Sequence, residues 1–131
     1  MNSSLLRYGL LAGAVYFICM AAAHYFGIKQ PLLFVYYDTP YYTYQDKIIS
    51  FAVVSYVALF YSAAYHRAVV PAALIVLGIT VLGLASINVS DALANVLQEG
   101  QSTTPYWIQT GLIAMYFTLL LALYVHDKKN A

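Results

Sequence analysis

Four long apolar runs separated by short polar stretches dominate the chain, and within each run the hydrophobic positions are nearly continuous rather than striped. They predict helices at about 5–26, 40–66, 68–87 and 105–126. Each run is near the roughly 20 residues that carry a helix across about 30 Å of hydrocarbon. A backbone in lipid must satisfy its own hydrogen bonds, which leaves helices or a closed barrel. These runs are too long and too uniformly apolar for barrel strands. The expected fold is therefore all-α, an integral membrane four-helix bundle forming a single transmembrane domain over 1–131.

The helix starts carry local signals. Thr39-Pro40 and Thr104-Pro105 each offer a capping hydroxyl followed by proline at the first helical position, and Pro71 can open the third span in the same way. A helix beginning near Pro40 would hold its first turns, Tyr41 to Lys47, at the level of the lipid headgroups. Between spans three and four, Val89, Ala92, Leu93, Val96 and Leu97 fall on one helical face. That pattern predicts a short amphipathic helix over 89–99, capped by Asn88, ended by Gly100 and lying on the outer membrane surface.

Charge sets an expected orientation. With the N-terminus inside, Arg7, Arg67, Lys128 and Lys129 are cytoplasmic and only Lys29 and Lys47 are outside, so the basic bias gives N-in and C-in in the cell membrane. The link at His66-Arg67 is very short, which makes spans two and three antiparallel neighbours. Arg7 and the following apolar stretch to Ala21-Ala22-Ala23 have the outline of a secretory signal. Apolar character continues to Phe26 and three more spans follow, so the segment reads as an uncleaved first helix. Thr39-Pro40-Tyr41-Tyr42 and Thr104-Pro105-Tyr106-Trp107 hint at a parallel duplication. Independent selection of capping and interfacial aromatic residues accounts for so short a match more simply.

Composition excludes some classes. Of 131 residues, 63% are hydrophobic and 8% charged, whereas a water-soluble domain carries about 25% charged residues. A net charge of +1 offers no footprint for nucleic acid. The single cysteine, Cys19, has no partner for an intrachain disulfide. Size and span number resemble the small multidrug transporters only in outline. Those proteins depend on a membrane-embedded carboxylate in the first helix, and span one here has none.

The first outer loop is the most unusual stretch, with five of the 14 tyrosines between Phe34 and Lys47. An aromatic belt at the headgroups explains some of them. Tyrosine also offers large contact area at low entropic cost, which suits a docking surface. The candidate partner- or ligand-binding residues are Tyr36, Tyr37, Asp38, Tyr41, Tyr42, Tyr44 and Asp46. On a helix from Pro40, Tyr41 and Tyr44 share one face, and Tyr42 shares another with Asp46 at spacing four. Asp46 is either a boundary charge beside a snorkelling Lys47 or a carboxylate turned into the bundle, where an ionisable group implies function.

Little else suggests chemistry. His24 lies at the outer end, while His66 and His126 lie at the inner ends and outside any helical two-histidine motif. Boundary histidines fit better than haem or metal ligands, and no cofactor is expected. The hydroxyls Ser50, Ser55, Ser62, Thr110 and Thr118 have no adjacent base and suit hydrogen bonds to helices. Gly9-x-x-x-Gly13 permits a close helix approach. The leading reading is a non-catalytic accessory or structural subunit docking to a larger membrane complex through its Tyr-rich outer loop. A small homo-oligomeric transporter or channel is the second, and a membrane enzyme or cofactor-binding protein the third.

Overall fold

The computed structural model describes residues 1–30, 33–34 and 42–129. They form α1 (Ser4–Phe26), α2 (Tyr42–Tyr65), α3 (Val70–Asn88), a one-turn α4 (Asp91–Ala94) and α5 (Thr104–Lys129), with a 3-10 turn at Arg67–Val69 joining α2 to α3. Four of these helices, α1, α2, α3 and α5, are long and apolar enough to cross a membrane. The helix start expected at Thr39-Pro40 lies outside the described residues.

Helix boundaries follow from capping chemistry. The Ser3 hydroxyl accepts the amide of Leu6 and so satisfies one of the orphan donors at the start of α1. The helix ends at Gly27, whose φ of 69° is open to glycine at no steric cost. The Ile28 amide then donates back to the Ala23 carbonyl at 2.8 Å, closing a Schellman-type end. Pro71 stands in the first turn of α3, as its fixed φ favours. α5 starts one residue earlier than Thr104-Pro105 predicts: Thr104 is itself helical, and the Trp107 amide reaches the Thr103 carbonyl at 3.1 Å.

The helix expected over 89–99 is cut to the single turn Asp91–Ala94. Asn88 does not cap it. It remains in α3, and its buried amide donates to Thr110 Oγ1 on α5 at 2.8 Å. Capping passes to Ser90, whose hydroxyl accepts from the Leu93 amide at 3.4 Å. Leu93 is buried, whereas Val89 is exposed, so one anchor holds the segment and further turns gain too little burial to offset their ordering.

Neighbouring helices follow one another around the bundle as α1, α2, α3 and α5, with α5 closing back on α1. The core runs along the axis through Leu6, Leu10, Phe17, Phe60, Leu77 and Leu120. Outward faces are apolar as well: Leu82 is 72% exposed, Met115 70% and Phe51 69%. Apolar surface on all four long helices suits a hydrocarbon solvent and would associate in water.

In lipid, helices associate by close packing and hydrogen bonds rather than by hydrophobic burial. α1 and α5 do both. The Tyr116 hydroxyl donates to the Gly9 carbonyl at 2.8 Å. A Cβ on Gly13 would collide with that hydroxyl and lie 2.9 Å from Phe60 Cδ1. Gly13 therefore makes room for a tyrosine, while Gly9 makes room for Leu120, whose Cδ2 lies 3.0 Å from where a Cβ would stand. Phe60 stacks on Tyr116 at 6.3 Å and tilts against Phe17 at 5.2 Å, continuing the aromatic column inward from α5 to α1.

Candidate functional site

The two ends of the bundle are built differently. One end gathers the N-terminus, the α2–α3 junction and the C-terminus. Asn2 Nδ2 donates to the Ala63 and Ala64 carbonyls at 2.8 and 3.2 Å, filling acceptors that the end of α2 leaves open. The Ser3 amide donates to Asp127 Oδ2 at 2.8 Å, and Arg67 Nη1 lies 3.6 Å from the same oxygen. The Arg67 guanidinium also lies over the Tyr124 ring at 4.9 Å. These contacts join α1, the junction and α5, and serve as a structural clasp.

The opposite end carries the Tyr-rich segment between α1 and α2. Here Asp46, in the second turn of α2, is only 8% exposed. Its Oδ1 lies 3.2 Å from Nδ1 of His24, near the end of α1. The other carboxylate oxygen, Oδ2, is buried with no hydrogen-bond partner among the described residues. One residue on, Lys47 Nζ donates to the Tyr25 carbonyl at 3.0 Å and sits 4.1 Å above the Tyr25 ring. That places a cation on the C-terminal carbonyls of α1, where the helix dipole favours it. Two successive residues of α2 thus grip two successive residues of α1.

Of the two readings of Asp46, its burial fits the inward one. Lys47 binds the neighbouring helix end rather than only reaching for headgroups. Tyr44 is exposed, on a different face from Asp46. Tyr36, Tyr37, Asp38 and Tyr41 lie outside the described residues, as does the side chain of Tyr42, so the expected Tyr42–Asp46 contact falls there too. The sequence marks His24 as a plain boundary histidine, whereas in the fold it supplies the partner of Asp46. The signal was depth. His24 lies two residues before the end of α1 and Asp46 four after the start of α2, so at about 1.5 Å per residue both are within a turn or so of one level.

A second feature lies deeper, between α1 and α5. Toward the loop end a short loop segment comes in between these helices. Gln30 and Phe34 exchange backbone hydrogen bonds of 3.2 and 3.0 Å, forming a small turn that holds Leu33. The Leu33 carbonyl accepts from the Tyr16 hydroxyl at 3.0 Å and from Gln109 Nε2 at 3.1 Å. Phe34 stacks on Tyr16 at 6.0 Å. Beneath Leu33 is a cavity of about 300 Å³, with Phe17, Leu77 and Ile113 among its walls and Tyr116 on its border. Nothing in the sequence pattern marks it, because its walls come from three separate helices and a loop.

Hydroxyls along the spans are turned back on their own helices. Ser50 donates to the Lys47 carbonyl, Ser55 to Ala52, Thr80 to Val76 and Thr118 to Ala114. Tyr56 and Thr80 join α2 to α3 at 3.1 Å. Among the described residues no group of three or more His, Cys, Asp or Glu side chains is placed to hold a metal ion. Compared with known protein families, with curated proteins and with solved structures, the chain matches none.

Proposed function

We propose that this chain is a non-catalytic accessory subunit of the cell membrane that docks to a larger membrane protein through its Tyr-rich outer end. The carrying observation is the buried Asp46 carboxylate, tied by one oxygen to His24 and with the other oxygen unmatched among the described residues. A buried acid in that condition costs stability, and an apolar residue of similar size would pack at least as well. Ionisable groups held at such depth generally serve a use. Here the pair ties the start of α2 to the end of α1, at the helix end that adjoins the Tyr-rich segment in the sequence, and a docking surface requires such a support.

Two further features favour docking over transport. Ser50, Ser55, Thr80 and Thr118 already bond their own backbones, which leaves few polar groups to line a path. Asp46 and the exposed Tyr44 belong to one end rather than to a stripe along a helix. The basic bias of Arg7, Arg67, Lys128 and Lys129 supports the clasp end as cytoplasmic and the Tyr-rich end as outer. In that orientation the Asp91–Ala94 turn lies along the outer leaflet with Leu93 inward, and the loop tyrosines form part of an aromatic belt.

Gentle detergent extraction followed by native mass spectrometry tests the reading. The wild-type chain is expected to travel with a companion protein, and Tyr44→Ala and Asp46→Asn are expected to lose it while still inserting. Migration as a homo-oligomer unaffected by both substitutions would favour the carrier reading instead.

A further inference from the structure

The clasp end carries an arginine that the clasp does not use. Four of the five acidic residues fall in or next to the α1–α2 and α3–α5 connections in the sequence, which leaves Asp127 to the clasp end. Asp127 is already committed to the Ser3 amide and to Arg67. Arg7, in the first turn of α1, is exposed. Among the described residues its guanidinium makes no hydrogen bond and no ion pair, so its N–H donors are unspent.

Aromatic rings hold that guanidinium in place. Its Cζ lies 5.2 Å from the ring centroid of Tyr65, the last residue of α2, and 6.0 Å from that of Tyr8. Tyr61, one turn deeper on α2, leans on Tyr65 at 5.0 Å. The stacking leaves the guanidinium edge open, and that edge fits the oxygens of a phosphate. It also discriminates between headgroups. With Arg7 over the rings, a choline or ethanolamine ammonium gains no ring face and meets a like charge.

An apolar seam runs from this point toward the middle of the bilayer. Tyr25 is five full turns beyond Arg7 on α1, at about 3.6 residues per turn, and so lies on the same face. It meets Phe51 of α2 at 6.2 Å, which marks the far end of the α1–α2 seam. Between these ends Ile18 on α1 and Val54 and Ala58 on α2 are exposed. The occupant that matches is an anion at headgroup level with hydrocarbon beneath it, and the bilayer itself supplies that molecule.

We propose that Arg7, held against Tyr65 and Tyr8, binds the phosphate of an anionic phospholipid whose acyl chain lies along the α1–α2 seam. The site is at the opposite end from the docking surface, goes beyond that role and does not depend on it.

The full chain, stripped of lipid in detergent, is mixed with equal amounts of dioleoyl phosphatidylglycerol and dioleoyl phosphatidylcholine, which carry the same chains. Native mass spectrometry counts the lipid retained. The phosphatidylglycerol adduct is expected to exceed the phosphatidylcholine adduct about 5-fold, as one basic residue at an anionic surface gives. Arg7→Gln should abolish the preference. Arg7→Lys keeps the charge but not the planar fork and should retain less than half of it. Lys129→Gln, at the end of α5, should leave it unchanged. Helical circular dichroism confirms folding, and Tyr65→Leu, which removes the supporting ring, serves if Arg7→Gln fails to fold. Equal retention of the two lipids by the wild type would overturn the proposal. So would equal losses in Arg7→Gln and Lys129→Gln, which would mean overall charge alone. Displacement by an equal amount of oleate or glycerol 3-phosphate would also overturn it, since a chain or an anion by itself would then suffice.

Discussion

The hydroxyl of Tyr116 occupies the space that a side chain on Gly13 would need, so these two residues set how closely α5 approaches α1. Phe60 closes the same space from α2, at 2.9 Å from the missing Cβ. Gly13→Ala should therefore cost about 1–3 kcal/mol, the usual range for overpacking. Tyr116→Phe in the same chain removes the colliding oxygen and should recover part of the loss. Gly83→Ala and Gly111→Ala, which meet nothing within 4 Å, should be neutral or slightly stabilising because alanine is the better helix former. Thermal unfolding in detergent, followed by circular dichroism, gives the ranking.

The buried bond from Asn88 to Thr110 holds the loop ends of α3 and α5 together. Thr110→Val strands the Asn88 amide and is expected to destabilise by about 1 kcal/mol, with Asn88→Leu similar. The double variant should cost less than the two singles summed, because neither group is then left unpaired. Full additivity would show that the pair is not coupled.

At the clasp end, Asp127 accepts from the Ser3 amide and faces Arg67. Asp127→Ala should loosen the first turn of α1 without disturbing the far end of that helix. Hydrogen exchange at Leu6 should speed up, and exchange at Gly27 should stay as in the wild type. Equal acceleration at both would indicate general loosening of α1 and contradict a local clasp.

Membrane orientation is checked by labelling in intact cells with Cys19 replaced by serine. Cysteines introduced at Asn2 and Lys129 should resist an impermeant reagent, and one at Gln98 should react. The reverse pattern would invert the bundle and place the Tyr-rich end in the cytoplasm.

The helices were legible because lipid makes the requirement simple: long, apolar and uninterrupted by charge. Helix ends were legible within a residue or so where proline fixes them, as at Pro71 and Pro105. The segment around Val89 misled because helical spacing of apolar residues does not say whether each of them finds a place to bury, and here Leu93 does while Val89 does not. It also hid that the Asn88 amide is used across the bundle rather than at a cap. Of the candidate site, the sequence left Asp46 open between a boundary charge and an inward carboxylate, and its burial in the fold fits the second. Its tie to His24 required knowing that α1 and α2 lie side by side at that level, which no local pattern encodes. The cavity was illegible for the same reason, since Tyr16, Leu33 and Gln109 are distant in sequence and meet only in the folded chain.

The central claim is that the Tyr-rich end meets another protein while the remaining apolar surface meets lipid. A photo-crosslinking amino acid at Tyr44, compared with one at Leu82 on the exposed face of α3, tests it in intact membranes. The expected result is a discrete protein adduct at position 44, lost on Asp46→Asn, and only lipid adducts at position 82. Lipid adducts alone at both positions, or a position-44 adduct made solely of a second copy of this chain, would contradict the docking role.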